Sequence, residues 1–414
     1  MSERSVAVIT GTRADYGLLR GTLREIKADP LLNLQLIVTG AHLVEDFGYT
    51  VSEIEASEVS IAARVDMLLA SDTGVGAAKS LGLGVSGCAD AFDRLEPDVV
   101  LLLGDRFEML AAAEAALMMR IPVAHIHGGE TTEGAFDESI RHSLTKMAHI
   151  HFVTAEPHRA RVIQMGEQPD RVFTVGAPGL DQIHHTELLN RKAFEDAIGF
   201  QLGDPTFLIT LHPSTLGTQE PETSARHLLD AVDGFDGARL IFTKANADPA
   251  GRRINERIAE YCEGRDDARL YDSLGQKRYL SALRHVDVVV GNSSSGLIEA
   301  PAMDVPTVNV GPRQDGRLRG PSVVDCRADR EAIASAIEAV LEPQFQSIVE
   351  ASDPPYGEGK TGQAIAQRLR EVDLSDAILT KPFFDLVPGC KRTSSNHHGE
   401  KSGPAGTDAA KGDR

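Results

Sequence analysis

Short apolar segments alternate with helix-like segments along most of the chain, and this alternation restricts the fold more than any other feature. The first apolar segment, Ser5–Thr10, is rich in β-branched residues, and Leu18–Ile26 behind it carries apolar residues at helical spacing. A strand that is a continuous apolar run is typical of a parallel sheet whose two faces are covered by helices. Repeated strand and helix units therefore predict a doubly wound parallel α/β sheet.

The alternation runs through the chain twice. Further strands of the first half are predicted at Leu34–Thr39, Val99–Leu103, Pro122–Ile126, His151–Thr154 and Val172–Val175. The helices between them are predicted at Phe107–Arg120, Asp137–His149 and Pro157–Met165. The second half predicts strands at Phe207–Leu211, Ala238–Thr243, Val286–Val290 and Thr307–Val310, followed by a helix at Ala328–Leu341. The sequence thus predicts two Rossmann-like domains that face each other across a cleft.

The length of 414 residues also favours two domains, because a domain usually contains about 100–200 residues. We expect a first domain over residues 1–178 and a second, nucleotide-binding domain over residues 179–360. Residues 361–390 are expected to form a closing helix, at Thr361–Val372, and an extension, both packed near the domain junction. Residues 391–414 lack apolar side chains to bury and are predicted to be disordered.

Charge and composition exclude several classes of protein. The net charge of −19 argues against binding nucleic acid, which needs a basic surface, although a local pocket can still bind a small anion. No apolar run approaches the roughly 20 residues that span a membrane, and no long apolar region of a secretory signal precedes the first strand. We therefore expect a cytoplasmic protein. The scattered cysteines lack zinc-like spacing and are expected to be reduced thiols: Cys88, Cys262, Cys326 and Cys390.

Acidic residues follow two predicted strands of the first half. Asp105 and Glu130 come after successive strands, and Asp137 begins the next predicted helix. Because the carboxyl ends of parallel strands line the ligand crevice, we expect these carboxylates to converge beside Arg106, Arg141 and several histidines. Three carboxylates among cations suit the removal and return of a proton on a bound substrate. A structural network of ion pairs is the alternative for any one of them.

Two turns of small residues are placed to bind phosphate. Gly11-Thr12-Arg13 joins the first strand to the first helix, where backbone N–H groups attract anions and the Arg13 side chain adds donors. Gly291–Gly296 contains three serines and holds the same position in the second half. A surface turn is the alternative for the first segment, and ordinary N-capping is the alternative for the second. Three serines exceed what one cap needs, so we favour a diphosphate site there.

Three more residues of the second half are candidates, each with an ordinary structural role as its alternative. His212 follows a predicted strand and could donate to phosphate or act as the acid that assists a leaving group. Glu299, one to two turns after the serines, could reach a ribose diol, and Arg313 could reach phosphate or base. In the first half, the glycine-rich stretch Gly74–Gly87 permits either close helix packing or a flexible loop. The sequence does not choose between these two.

These segments together resemble the hydrolysing UDP-N-acetylglucosamine 2-epimerases of sialic acid biosynthesis, from about Val6 to about Arg370. The segments that carry the resemblance are Ile9–Leu19, Leu103–Glu108, His125–Glu130, Phe136–His149, His212–Thr215 and Gly291–Pro301. The resemblance implies the two-domain nucleotide-sugar fold of the GT-B type. Non-hydrolysing relatives carry a lysine shortly after the first Gly-Thr-Arg segment, whereas the stretch that follows it here, ADYGLLRG, has none. This difference favours the hydrolysing branch.

The resemblance implies a two-step reaction on UDP-N-acetylglucosamine. A carboxylate removes the C2 proton while UDP leaves C1 by anti elimination, which gives 2-acetamidoglucal. Water then adds to C1 as a proton returns to C2 on the opposite face, which gives N-acetylmannosamine. The scheme needs no metal or redox cofactor, and family members suggest a homodimer or larger assembly.

The resemblance also implies roles for matching residues. The acid/base carboxylates would be Asp105, Glu130 and Asp137. The residues that orient the carboxylates or contact the sugar would be Arg106, Arg141 and Asn246. The ligands of the diphosphate would be Arg13, His212, Ser293 and Ser294. The ribose would be bound by Glu299, with Arg313 nearby.

Three other functions stay open at this point. A related branch acts on UDP- or GDP-linked 2,4-diacetamido-2,4,6-trideoxyglucose, on the way to legionaminic acid, and no residue of the sequence defines the pocket for C4 and C6. A glycosyltransferase of the same architecture would need an acceptor groove rather than clustered carboxylates. The third function is a nucleotide-sugar binding protein without catalytic activity, which would have no need for clustered carboxylates.

Overall fold

Among the residues that the structure describes, the fold contains two parallel β-sheets, one of seven strands and one of six. The computed structural model describes residues 3–45, 48–71, 73–131, 137–213, 220–245 and 249–386. The strands of the first sheet are β1 (Arg4–Thr10), β2 (Leu32–Thr39), β3 (Ile61–Val65), β4 (Val99–Leu103), β5 (Val123–Ile126), β6 (Ile150–Val153) and β7 (Val172–Thr174). They lie in the order β3-β2-β1-β4-β5-β6-β7, and all registered neighbours are parallel.

The second sheet repeats the same arrangement with six strands. They are β8 (Thr206–Thr210), β9 (Arg239–Thr243), β10 (Ala268–Tyr271), β11 (Val288–Gly291), β12 (Thr307–Val310) and β13 (Val323–Cys326). Their order is β10-β9-β8-β11-β12-β13, again with parallel neighbours. The predicted class, two parallel α/β domains, is therefore confirmed.

Helices connect the strands and cover both sheets. In the first half they are α1 (Arg13–Ala28), α2 (Val51–Glu55), α3 (Gly74–Leu95), α4 (Phe107–Met118), α5 (Asp137–Met147), α6 (Glu156–Gln164), α7 (Asp181–His185) and α8 (Arg191–Ile198). In the second half they are α9 (Pro221–Val232), α10 (Pro249–Cys262), α11 (Gly275–Leu283), α12 (Ser295–Ile298), α13 (Arg330–Leu341), α14 (Pro343–Glu350) and α15 (Thr361–Glu371). Within the described ranges, none of these helices has the length and apolar character that a membrane span requires.

The strand order reverses at one point in each sheet, between β1 and β4 and between β8 and β11. In doubly wound sheets, ligands bind outside the carboxyl ends of the strands at this switch. The turns after β1 and β4 lead to Arg13 and Asp105, and those after β8 and β11 contain His212 and Ser293. The topology thus places the predicted phosphate turns and the first predicted carboxylate at the two switch points.

The glycine-rich stretch forms the first turns of α3 and allows this helix to pack closely. A Cβ atom on Gly84 would lie 2.7 Å from the Met67 Cε atom and 2.9 Å from the Ala111 Cβ atom of α4. These separations are shorter than ordinary contacts, so a larger residue would push the two helices apart. Of the two open interpretations, close helix packing is the one that the structure supports.

The end of the described chain returns to the first sheet. Ile365 and Leu369 of α15 are fully buried in the core that also contains β1 and α1. Beyond α15, the Lys381 ammonium group lies 2.9 Å from the carboxylate of Glu167, and the backbone N–H of Phe384 donates to the Gly166 carbonyl. The predicted domain limits at 178 and 360 stay predictions. Residues 391–414 and Cys390 lie outside the described residues.

Candidate active site

Asp105 and Arg141 form the centre of the site in the first half. Asp105 follows β4 and Gly104, whose φ of +86° turns the chain away from the sheet. The Arg141 guanidinium donates to the Asp105 carboxylate, and only 7% of the Arg141 side chain is exposed. Burial raises the pKa of Asp105, and the charge of Arg141 opposes part of this rise. The pair therefore places a weakly solvated carboxylate beside a fixed cation.

A histidine–carboxylate pair lies at the end of β5. The His127 Nδ1 atom is 3.0 Å from the Glu130 Oε1 atom, and the Thr154 hydroxyl donates to the same oxygen at 2.9 Å. Arg141 connects this pair to Asp105, because its Nη1 atom also donates to the His127 carbonyl at 3.1 Å. Gly129 makes the turn possible: its φ is +78°, and a Cβ atom there would lie 2.4 Å from the His158 carbonyl oxygen.

The two remaining predicted residues of the first half differ in their surroundings. Asp137 begins α5, and its charge contributes to raising the pKa of Asp105, which places it near the centre. Arg106 follows Asp105 in the chain and has a different partner. Its guanidinium donates instead to both carboxylate oxygens of Glu108, at 3.2 and 3.0 Å, and Glu108 is fully buried. Arg106 therefore stabilises the start of α4, beside the site.

The buried His125 forms a hydrogen bond with the turn that carries Asp105. The His125 ring lies within the sheet, and its Nε2 atom is 2.7 Å from the Gly104 carbonyl oxygen. Burial lowers the pKa of His125 to about 3, so the ring is neutral at physiological pH and donates through Nε2–H to that carbonyl. Its Nδ1 atom lies 3.4 Å from the hydroxyl of Thr145 on α5. His125 thus connects the turn that carries Asp105 to the helix that carries Arg141.

Asn292 joins the two turns at the switch point of the second sheet. Its buried amide accepts from the His212 backbone N–H at 2.7 Å and donates to the His212 carbonyl at 2.9 Å. Gly291 permits this approach, because a Cβ atom there would lie 2.0 Å from the Thr210 carbonyl oxygen, at a φ of +136°. The backbone of His212 is thereby fixed next to the serine turn.

The serine turn is not a simple helix cap. Ser294 precedes α12, but its side chain makes no capping hydrogen bond. The Ser295 hydroxyl instead bonds the Tyr279 hydroxyl at 2.5 Å, and the Ser293 hydroxyl accepts from the Ser295 N–H at 3.4 Å, which is long. Glu299 has a buried Oε2 atom without a partner in the described structure, and burial raises its pKa. A buried acceptor of this kind fits a ligand that brings hydroxyl donors.

The remaining predicted ligands lie at or beyond the edge of this turn. The Arg313 guanidinium donates to the Asn292 carbonyl at 2.9 Å, so it contacts the turn directly. Arg13, at the start of α1, is 74% exposed and pairs with Glu53 at 3.3 Å. Asn246 lies outside the described residues, so its predicted sugar contact stays a prediction.

A cavity connects the two halves beside the His127–Glu130 pair. The first half contributes His127, Glu130, Thr131, Arg141, His158 and Ala177, and the second half contributes Ile298, Gly316, Arg317 and Tyr356. The Ala177 N–H donates to the Tyr356 carbonyl at 2.8 Å, which holds the halves together at this point. In the part of the chain that the structure describes, no three metal-ligating side chains come together. The cavity combines charged groups with an apolar side.

Four residues that line the cavity were not individually predicted as site residues: His127, His158, Arg317 and Tyr356. The only available signal concerned His127, which lies two residues after His125 at the end of a predicted strand. His158, Arg317 and Tyr356 come from separate parts of the chain, and only their shared cavity relates them to the site.

Comparison with known proteins agrees with this geometry. The fold defines a two-domain α/β protein of the GT-B type, and a solved structure of the Neisseria meningitidis UDP-GlcNAc 2-epimerase bound to UDP-GlcNAc superimposes on it with a TM-score of 0.73. That alignment covers 89% of this chain and 100% of the other, at 17% identity. A model of the family described as UDP-N-acetylglucosamine 2-epimerase matches residues 24–370. The chain therefore belongs to the UDP-N-acetylglucosamine 2-epimerase family.

Two relatives are similar over nearly the whole chain. The GDP/UDP-N,N'-diacetylbacillosamine 2-epimerase (hydrolyzing) of Campylobacter jejuni is 42% identical over 93% of this chain and 100% of its own length. The UDP-N,N'-diacetylbacillosamine 2-epimerase (hydrolyzing) of Legionella pneumophila is 38% identical over 91% of this chain and 98% of its own length. These similarities associate the chain with hydrolysing members of the family.

Proposed function

We propose that the protein is a hydrolysing 2-epimerase of nucleotide-linked 2,4-diacetamido-2,4,6-trideoxyglucose, the sugar also called N,N'-diacetylbacillosamine. The products are the free 2-epimeric sugar and the nucleoside diphosphate. The observation that carries this choice of sugar is the 42% identity, over 93% of the chain, to a relative named for that substrate. The apolar side of the cavity, with Ala177 and Ile298, supports a sugar whose C6 is a methyl group.

The first half of the molecule supplies the groups for proton transfer. Asp105 takes the C2 proton, the electrons of the C2–H bond form the C1=C2 bond, and the diphosphate leaves C1 with the bonding pair. Its raised pKa suits a base that must also hold the proton it removes. A proton then returns to C2 on the opposite face while water adds to C1, and the charges of the other two predicted carboxylates, Glu130 and Asp137, act on Asp105. Arg141 fixes Asp105 and the His127 turn relative to each other.

The second half supplies the nucleotide site. The Ser294 hydroxyl, which caps no helix, and the His212 ring are positioned on adjoining turns to donate to the diphosphate. Ser293 completes this group, and Arg13 of the first half is the remaining candidate donor. Glu299 accepts from the ribose hydroxyls through its unpartnered oxygen, with Arg313 behind the turn. Stabilising the departing diphosphate lowers the barrier of the elimination.

Removing either diphosphate donor is expected to weaken UDP binding. A hydrogen bond to a charged group contributes about 1.5–3 kcal/mol, so Ser294→Ala and His212→Ala should each raise the dissociation constant of UDP roughly 10- to 100-fold. Isothermal titration calorimetry with UDP measures this effect. Ser347→Ala is the matched control, because this serine donates only to the carbonyl of Pro343 in its own helix, α14. Unchanged affinity in both site variants would place the diphosphate elsewhere.

UDP-N-acetylglucosamine is the second candidate substrate. The description of the matching family and the solved structure that contains UDP-GlcNAc both favour it. With this substrate the same two steps would give N-acetylmannosamine and UDP, as in sialic acid biosynthesis. The two candidates differ only at C4 and C6 of the sugar.

One experiment tests both the reaction and the sugar. The protein is incubated in heavy water with each nucleotide sugar separately, and proton NMR follows the products. We expect faster release of the free 2-epimer from the 2,4-diacetamido sugar, with deuterium at C2 and one equivalent of nucleoside diphosphate. Faster turnover of UDP-N-acetylglucosamine would instead make UDP-N-acetylglucosamine the preferred substrate. No release of diphosphate from either sugar, or retention of the C2 proton in the product, would contradict the proposed reaction.

A further inference from the structure

His127 is held in an unusual backbone conformation at the edge of the cavity. Its φ of +70° lies in the left-handed region, which few residues other than glycine adopt. The backbone is fixed on both sides, because its N–H donates to the Phe152 carbonyl at 3.1 Å and its carbonyl accepts from Arg141 at 3.1 Å. Such conformations concentrate at functional sites, where the surrounding structure maintains them. Here the conformation directs the imidazole toward Glu130.

The two ring nitrogens of His127 are in different environments. Nδ1 is 3.0 Å from the Glu130 carboxylate, which fixes the plane of the ring. Nε2 is buried and has no hydrogen-bond partner among the described residues, although the ring lines the cavity. A buried polar atom without a partner is uncommon in proteins and indicates that a ligand or water supplies one. The free nitrogen is therefore available to a molecule in the cavity.

Glu130 itself is poorly suited to carry a proton. Burial would raise the pKa of Glu130, but the charges of His127 and Arg141 outweigh burial and hold the pKa well below its usual range. A carboxylate that stays ionised at all physiological pH values is a weak base. It does, however, stabilise a protonated imidazole at Nδ1, in the manner of a carboxylate that orients a catalytic histidine.

We propose that His127 is a further proton-transferring residue of this reaction, and that Glu130 is the positioning residue that holds its ring. The proposal rests on the proposed function, and it assigns to His127 the second of the two proton transfers. Inversion at C2 requires an acid on the face opposite the base. The Arg141 guanidinium binds both the Asp105 carboxylate and the His127 carbonyl, so the two proton-transferring groups are held on either side of one cation.

The atoms balance over the second step. The C1=C2 electron pair of the unsaturated sugar takes a proton from His127 Nε2 and forms the new C2–H bond. The oxygen of water bonds to C1, and the proton that this water loses returns the His127 ring to its protonated form. The proton that Asp105 took from C2 in the first step passes to solvent. Neither step needs an oxidant or a further reactant.

His127→Gln tests the assignment through the products as well as the rate. General acid catalysis contributes at least about 10²-fold, so we expect formation of the free 2-epimer to fall about 10²-fold while UDP affinity changes little. Because Asp105 is intact, elimination continues, and the unsaturated sugar should accumulate alongside released UDP. Glu130→Gln should give the same intermediate with a smaller loss of turnover. Proton NMR and calorimetry with UDP provide the readouts.

His142→Gln is the matched control. His142 also pairs with a carboxylate, that of Glu138 at 3.0 Å on α5, but it does not line the cavity. Its turnover should match that of the unaltered protein. Release of sugar and UDP in equal amounts by His127→Gln, at a rate within threefold of the unaltered protein, would overturn the assignment. The assignment would also be overturned if His127→Gln and Glu130→Gln both lose turnover together with UDP affinity and neither accumulates the unsaturated sugar. Failure of the unaltered protein on every nucleotide sugar would instead refute the proposed function.

Discussion

Asp105→Asn is expected to reduce turnover of the nucleotide sugar about 10³-fold while leaving UDP affinity nearly unchanged. A positioned base contributes about 10²–10⁴-fold to a proton transfer, and the elimination cannot begin without one. Asparagine keeps the shape of the side chain and still accepts a hydrogen bond from Arg141, so the local structure should survive. The proposed UDP site lies on the turns of the second sheet, which the substitution does not touch. Steady-state kinetics and calorimetry with UDP measure the two quantities.

The pH dependence and a control on the same strand sharpen this prediction. Asp105 acts as a base only when it is ionised, so kcat/KM should fall as the pH decreases through the pKa of Asp105. Because this pKa is raised, the fall should begin at a higher pH than it would for an ordinary aspartate, whose pKa is near 4. Asp98, which precedes the opposite end of β4, accepts from the Ser5 N–H at 2.7 Å and is exposed. Asp98→Asn should leave both turnover and its pH profile unchanged. Loss of UDP affinity in Asp105→Asn would show that Asp105 is structural.

Central strands were predictable from the sequence because they are buried on both faces. β1, β4 and β8 consist almost entirely of buried residues, and each was predicted within one or two residues. The strands that the prediction missed are β3, β10 and β13, and all three lie at sheet edges. Their residues are only partly buried, so they lack the continuous apolar run that identifies a parallel strand. The edge strand β7 is the exception, because it was predicted at Val172–Val175 although only Val172 of its residues is buried.

The positions of the site turns were predictable, but their hydrogen-bond partners were not. A polar residue directly after an apolar strand must lie at the carboxyl edge of the sheet, which is why Asp105, His212 and Ser293 were identified. Pairing depends on details that spacing does not contain. The role predicted for Arg106, to orient the carboxylates and sugar, stays a prediction, and its guanidinium pairs with Glu108, a partner that spacing did not indicate. No individual role was predicted for His127, because its orientation depends on a left-handed backbone conformation after β5 that the sequence does not indicate.

Glu167 illustrates a structural feature that no motif indicates. It is 3% exposed and lies among three cations or potential cations: Lys146 at 2.5 Å, Lys381 at 2.9 Å and the His151 ring at 3.0 Å. Burial would raise the pKa of Glu167, but hydrogen bonds from His151 and Lys146 lower it to about 2. The segment after α15 is therefore attached to the first sheet partly through the charge of this carboxylate.

Glu167→Gln is expected to lower the free energy of unfolding by about 3 kcal/mol at pH 7. The native pKa of about 2 lies below the ordinary glutamate value of 4.5, and a difference of that size corresponds to about 3 kcal/mol. Because the folded pKa is the lower one, this stabilisation is complete above pH 4.5 and disappears as the pH falls toward 2. Urea unfolding followed by circular dichroism should therefore show a difference in unfolding free energy between the two proteins that narrows below pH 4.5.

The control is Glu371→Gln, which removes a half-exposed pair with Arg368 on α15 and should change stability by less than about 0.5 kcal/mol. If Glu167→Gln is as stable as the unaltered protein at pH 7, the prediction is wrong. That result would mean that solvent stabilises the charges of Lys146 and Lys381 as well as the Glu167 carboxylate does.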